Sequence, residues 1–241
     1  MIDRCIIVKR FYERGSKLRK RLACLHAHYS NIQYIEKALS EYDIELVHFV
    51  DPALMYRVTF DESFKRSDAA NKVKEQIEWI AQNKVDAILI TCTNYIALLK
   101  EEELTISTPI IKIDEPFFEY ICNIQQPQII VFTNPATVEG TMCRLYDYAT
   151  TQGKSPEVEV MIILDTFELI IQGRQEEYNL AVSKFLSTLI VNENKVISVA
   201  QLSMVKACEQ VKYKDTRTIR NPLDPLVEAM LKKLEPVKYN K

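Results

Sequence analysis

The sequence predicts an α/β protein built from two similar parallel-sheet halves that share a crevice, and three observations predict it. Short apolar, often β-branched runs alternate with helical segments along the chain, the pattern of parallel sheets with crossover helices. Several runs end in polar clusters, such as Thr91-Cys92-Thr93-Asn94 and Thr133-Asn134, at the strand ends where open α/β sheets bind ligands. The succession of runs and loops in the first half also recurs in the second.

In chain order, a short strand is expected over 5–8 and a charged connection over 10–20. Residues 21–27 read as a strand that runs into His28-Tyr29-Ser30-Asn31 and a helix over 32–40, with Ser30 or Asn31 as its cap. A strand over 44–50 ends at Asp51, and a short helix over 52–57 follows. Val73, Ile77, Ile80 and Ala81 recur at helical spacing among charges, so 68–82 is an amphipathic surface helix. The apolar run after Asp86 delivers Cys92 to a strand end, and the helix-compatible segment 95–99 lies behind it. A strand over 109–113 leads to Asp114-Glu115-Pro116, where proline suits the first turn of a helix over 117–124. A strand over 127–132 meets Thr133-Asn134-Pro135-Ala136-Thr137 and a helix reaching 150. A strand over 157–164 ends at Asp165, and one long or two broken helices cover 167–191. A strand over 195–200 ends in Gln201-Leu202-Ser203-Met204, with a helix to 210. A last short strand over 215–219 and a closing helix over 223–234 complete the chain.

Composition excludes several functions. A hydrophobic share of 47% with 27% charged residues is that of a soluble globular protein, and a formal charge of −2 gives no reason to expect nucleic acid as a partner. The basic run Lys17-Leu18-Arg19-Lys20-Arg21 reads as the solvated start of a strand. No apolar stretch reaches the roughly 20 residues of a membrane span. The N-terminal residues lack a long apolar core and a small-residue cleavage site, so no membrane partner and a cytoplasmic location are expected. The six cysteines form no C-x-x-C, which argues against a structural zinc site or a disulfide framework. Cys5, Cys24, Cys122 and Cys143 lie in apolar patterns and are expected in the core. His26 and His28 form an H-x-H pair without further ligands, so no metal site is assigned. Only four glycines occur, and neither a dinucleotide fingerprint nor a P-loop can be built from them.

Laid side by side, the halves match: 22–27 with its loop and helix parallels 128–132, 45–54 parallels 159–168, and 85–92 parallels 191–201. Four strand-end loops then converge, around His28 and Ser30, Cys92 to Asn94, Thr133 to Thr137, and Gln201 to Ser203. They offer hydroxyls, amides and one thiol, with no arginine or lysine, and suit a small carboxylate held by backbone N–H groups, threonine and asparagine. A helix N-terminus behind Cys92 favours negative charge and would lower the thiol's pKa. The alternative is that Cys92 is a small buried hydrophobe, as many free cysteines are.

The motifs Thr91-Cys92-Thr93-Asn94, Asp114-Glu115-Pro116, Thr133 to Thr137, and Ala200-Gln201-Leu202-Ser203-Met204 resemble those of the aspartate/glutamate racemase superfamily. That superfamily includes hydantoin racemases, maleate isomerases and arylmalonate decarboxylase, and the last motif is similar to the Ala-Gln-x-Ser-Met signature of a racemase-like branch. The resemblance spans about 22–234. It implies two flavodoxin-like halves with the active site between them: a first half over 1–117, joined by a C-terminal segment over 215–241, and a second over 118–214. It also implies an isomerase that needs neither pyridoxal phosphate nor any other cofactor, acts on a small amino-acid-like compound or dicarboxylate, and forms a homodimer. In this chemistry one thiolate removes the proton beside a carboxylate and a thiol on the opposite face returns one. Cys92 matches the first thiol. The second should fall near Gln201, where no cysteine stands, and Cys208 lies about two helical turns further on.

The resemblance therefore names Cys92 and Ser203 as catalytic candidates. It names His28, Ser30, Thr91, Thr93, Asn94, Thr133, Asn134, Thr137 and Gln201 as substrate-binding candidates. His28 is either a substitute base or a plain loop histidine, and Asp114 and Glu115 are read as a charged helix start. The expected reaction is that of a racemase or isomerase with one thiol. The alternatives are a one-thiol decarboxylase or tautomerase, or a carboxylate-binding protein without catalysis.

Overall fold

The computed structural model describes residues 19–211 and 219–238. The strand expected over 5–8, the connection before residue 19 and all but Ile219 of the strand expected over 215–219 lie outside the described residues, as does Cys5.

Strand β1 (Lys20–His26) is the centre of the first sheet, because Leu22, Ala23, Cys24 and Leu25 are apolar and buried on both faces. Helix α1 (Ile32–Leu39) carries the chain to β2 (Ile44–Val50). Helices α2 (Pro52–Phe60) and α3 (Arg66–Ala81) then cross to β3 (Ala87–Ile90). Asp51 caps α2 by accepting from the N–H groups of Ala53 and Leu54, with Pro52 at the first turn. On α3, Ala69, Val73, Ile77 and Ile80 are buried while Trp79 is exposed, the one-sided stripe that the spacing predicts. Helix α4 (Thr93–Leu98) precedes β4 (Ile110–Lys112). All pairings are parallel, in the order β2-β1-β3-β4.

Helix α5 (Glu115–Asn123) crosses to the second sheet of β5 (Gln128–Phe132), β6 (Val158–Ile162) and β7 (Val196–Val199), again parallel and ordered β6-β5-β7. The connections are α6 (Val138–Thr151), then α7 (Phe167–Ile171) with α8 (Gln175–Asn192). The stretch 167–191 is therefore two helices, separated at Gly173, whose φ of +74° suits glycine far better than any other residue. Helix α9 (Val205–Val211) follows β7. The strand orders 2-1-3 and 6-5-7 are the same topology, which is the duplication read from the sequence. The place of β4 is taken in the second half by one parallel bridge, Ser198 with Arg220.

The halves exchange helices. Leu223, Leu226, Met230 and Leu234 of α10 (Leu223–Leu234) belong to the first core, while Phe117, Phe118, Ile121 and Cys122 of α5 pack with the second sheet. Cys24 and Cys122 are buried as expected, but Cys143 is exposed, because it sits on the solvent side of α6. The described part of the basic run pairs with acids: Arg19 with Asp43 at 3.0 Å, Lys20 with Asp86 at 3.0 Å and Arg21 with Glu45 at 2.9 Å. No helix among the described residues is long and apolar enough to cross a membrane.

Candidate active site

Strand β3 has four buried residues, and Thr91 and Cys92 follow at its carboxyl end. Helix α4 starts two residues earlier than its apolar run suggests, at Thr93, so Cys92 itself is the N-cap residue. The N–H groups of Tyr95 and Asn94 in the first turn consequently favour negative charge on the partly buried Cys92 sulfur, although the sulfur makes no capping hydrogen bond. Burial pushes the thiol's pKa up; these two N–H groups and the Arg144 guanidinium pull the other way and do not offset it. The sequence reading of a thiol activated by a helix N-terminus is thus corrected. The helix acts in the expected sense, but desolvation wins and the group is a thiol at neutral pH.

Thr91 is buried, and its Oγ1 is the hub of a small network. It lies 2.8 Å from His26 Nδ1, accepts from Asn31 Nδ2 at 3.3 Å and donates to the Leu25 carbonyl at 3.3 Å. Asn31 therefore braces the Cys92 loop and does not cap α1. The cap in this loop is His28, whose Nδ1 accepts from the Ser30 N–H at 3.2 Å and lies 2.8 Å from Ser30 Oγ. Strand β1 ends at His26, so the two histidines diverge: His26 is buried and His28 is exposed. Thr93 opens α4, and Asn94 is exposed beside it.

In the second half the turn after β5 closes on Gln201. The Gln201 Oε1 atom accepts from the Thr133 N–H at 2.7 Å, the Thr133 hydroxyl at 2.9 Å and the Asn134 N–H at 3.2 Å. Asn134 caps the next turn through Ala136, and Thr137 donates to the Asn134 carbonyl at 2.9 Å. Tyr178 of α8, fully buried, links this turn to the β7 loop: its hydroxyl is 3.0 Å from Thr133 Oγ1 and 3.0 Å from Ser203 Oγ. The loops of the two halves meet where Tyr34 of α1 donates to the Ser203 carbonyl at 3.4 Å.

A charge lies at this junction that the strand-end loops do not supply. Arg144 of α6 bonds through Nε to the Asp114 carboxylate at 2.9 Å, and α6 packs against α4. Asp114 is only 5% exposed, so burial pushes its pKa up while Arg144 opposes the shift. Arg144 Nη2 is buried without a hydrogen-bond partner. Asp114 is therefore more than a charged helix start, since it fixes a guanidinium that acts on Cys92.

The fold thus joins Thr133, Asn134, Gln201 and Ser203 in one network, and His28 with Ser30 in another, while Thr91 supports the Cys92 loop from beneath. Arg144 and Tyr178 were missed from sequence. Arg144 lies seven residues after Thr137, two helical turns along α6, and that spacing is a usable signal. Tyr178 sits inside α8 with no motif around it.

No protein-family model matches the sequence, and neither does any curated protein sequence. Solved structures do match. An aspartate racemase from Picrophilus torridus aligns with a TM-score of 0.65 and 14% identity over 91% of this chain and 96% of its own. An allantoin racemase from Klebsiella pneumoniae aligns at 0.62 and 16% identity over 91% and 90%. A glutamate racemase from Francisella tularensis, solved with D-glutamate, aligns at 0.60 and 16% identity over 92% and 84%. The chain shares the fold of these racemases along nearly its whole length.

Proposed function

We propose that this protein belongs to the aspartate/glutamate racemase superfamily and is a cofactor-independent enzyme acting at the carbon next to a carboxylate, with Cys92 as its acid–base group. The observation that carries the reading is Cys92 as the N-cap residue of α4 at a strand end, with the Arg144 guanidinium of the opposite half favouring its thiolate, on a fold shared with racemases. The Thr133 turn supplies the carboxylate site in this reading. Three donors already converge there on one oxygen, that of the Gln201 amide, and a substrate carboxylate oxygen has the same requirement. Gln201 would then swing aside or share the turn.

The resting protonation of Cys92 favours a one-sided reaction within this class. A buried thiol is an acid, ready to deliver its proton to a carbanion formed beside it. Gln201 has no proton to exchange at useful pKa, and Ser203 is engaged with Tyr178. A decarboxylase or tautomerase step fits: the electron pair left on carbon takes the Cys92 proton, and the thiolate is reprotonated from solvent. A two-base racemase would need Ser203, His28 or water on the other face.

The test is proton NMR in deuterium oxide with a panel of small amino acids, dicarboxylates and malonate-type diacids. Solvent deuterium is expected at the reacting carbon of the true substrate, with Cys92→Ala reducing turnover by roughly 10²-fold or more. Exchange with both enantiomers would identify a racemase, and exchange or carbon dioxide loss with one alone the one-thiol reaction. Full activity in folded Cys92→Ala ends the proposal.

A further inference from the structure

Beneath the Cys92 loop, three side chains with ligand chemistry share one face of the first sheet. Cys24 of β1 and His48 of β2 are register partners, and His26 lies two residues beyond Cys24 on the same strand. One atom from each, a thiol sulfur and two ring nitrogens, lies within 4.8 Å of the other two. The same face carries the buried Leu22 of β1 and Leu89 of β3, the register partner of Cys24. His26 Nε2 faces His48 Nδ1 at 2.9 Å, and the outer nitrogen of each ring meets an oxygen: Thr91 Oγ1 at 2.8 Å for His26, and the Glu36 carboxylate at 3.9 Å for His48. His48 Nε2 has no hydrogen-bond partner at that longer distance.

We propose that Cys24, His26 and His48 bind one zinc ion. Four-coordinate zinc takes sulfur at about 2.3 Å and nitrogen at about 2.0–2.1 Å, which sets neighbouring ligand atoms roughly 3–4 Å apart. The three ligand atoms, already within 4.8 Å of one another, reach that geometry by side-chain rotation on paired strands. His26 already shows the outer hydrogen bond of a metal-bound histidine, to Thr91, and the Glu36 carboxylate 3.9 Å from His48 Nε2 is placed to supply the second on closing up. The charges also close: a divalent ion, one thiolate and the Glu36 carboxylate sum to zero, so the buried ion is not left uncompensated. Binding releases one proton, that of the thiol. His26 keeps its proton on the outer nitrogen, donating to Thr91, and the proton the inner nitrogens now share moves to the outer nitrogen of His48, which faces Glu36, so the ion takes its place and no second proton leaves. Water fills the fourth position. The site is separate from the Cys92 thiol and does not depend on the reaction assigned to it.

The test uses the full chain, stripped with a chelator and titrated with zinc against a chromophoric chelator, and with cobalt(II) as a spectroscopic probe. One equivalent of zinc, release of one proton and a sulfur-to-cobalt charge-transfer band are expected. Cys24→Ser and His48→Asn should abolish the band, and the exposed Glu36→Gln, which leaves the core untouched, should weaken zinc binding roughly tenfold. Cys92→Ala should bind as the parent does. Absence of a zinc equivalent, a band lost with Cys92→Ala but kept in Cys24→Ser, or unchanged zinc affinity in Glu36→Gln would each overturn the proposal.

Discussion

At the scale of single residues, the candidate site is governed by competition between burial and local charge. Cys92 shows it most directly, since two N–H groups and a guanidinium fail to offset desolvation. Its alkylation by iodoacetamide should therefore follow a pH profile centred above the ordinary thiol range near 8.5. Arg144→Met should move the midpoint further up, because it deletes a charge that favours the thiolate; a midpoint below 8.5 would contradict this balance. Tyr178 gives a second case. Burial pushes its phenol up to about 12 from an ordinary value of 10.0, against the hydrogen bonds of Ser203 and Thr133. The folded protein thus holds this proton more tightly than the unfolded chain. The stability it supports is intact below pH 10 and is lost as the pH rises from about 10 to 12. The loss should reach about 2–3 kcal/mol. Tyr178→Phe, followed by denaturant unfolding across that range, should flatten the alkaline decline.

At the scale of elements, two glycines should respond to alanine in opposite directions. Gly173 joins α7 to α8 at φ +74°, so Gly173→Ala should cost about 1–2 kcal/mol. Gly140 lies inside α6 with helical backbone, and a Cβ there would meet Arg144 Nη1 at 3.5 Å, an ordinary contact. Gly140→Ala should therefore stabilise by about 0.5–1 kcal/mol. Urea midpoints of the two variants check both signs. Element type was readable in the sequence because apolar spacing is local. The stripe Val73, Ile77 and Ile80 defines α3, and the run from Ala87 to Ile90 defines β3. Caps were less readable. His28 does what serine or asparagine does elsewhere, and Asn31 is drawn away by Thr91, a partner 60 residues distant in sequence.

At the scale of the whole molecule, two sheets of like topology are tied by exchanged helices, so the end of the chain supports its beginning. Met230 of α10 is fully buried in the first-half core. Met230→Ala should cost about 2–5 kcal/mol. Hydrogen exchange should locate the loss of protection in β1 to β4 before β5 to β7, and equal loss in both sheets would show that the halves open as one. The same long-range tie explains the site's hidden members. Asp114 and Arg144 lie on different elements and meet only after α5 and α6 pack beside the crevice.

The sequence by itself determined the alternation of strands and helices, the duplicated halves and the polar strand ends with Cys92 among them. Those features rest on period, branching and turn chemistry, which act between near neighbours. Only the tertiary structure decided that Gln201 closes on the Thr133 turn, that Tyr178 bridges Thr133 to Ser203, and that Asp114 holds Arg144 where its charge favours the Cys92 thiolate. It alone brought His48 beside Cys24 and His26 and sent His28, the other half of the H-x-H pair, to the surface. The physical reason is that hydrogen bonds, charge and ligand geometry depend on separation in space, whereas sequence periodicity fixes which face a residue occupies and leaves its distant partners open.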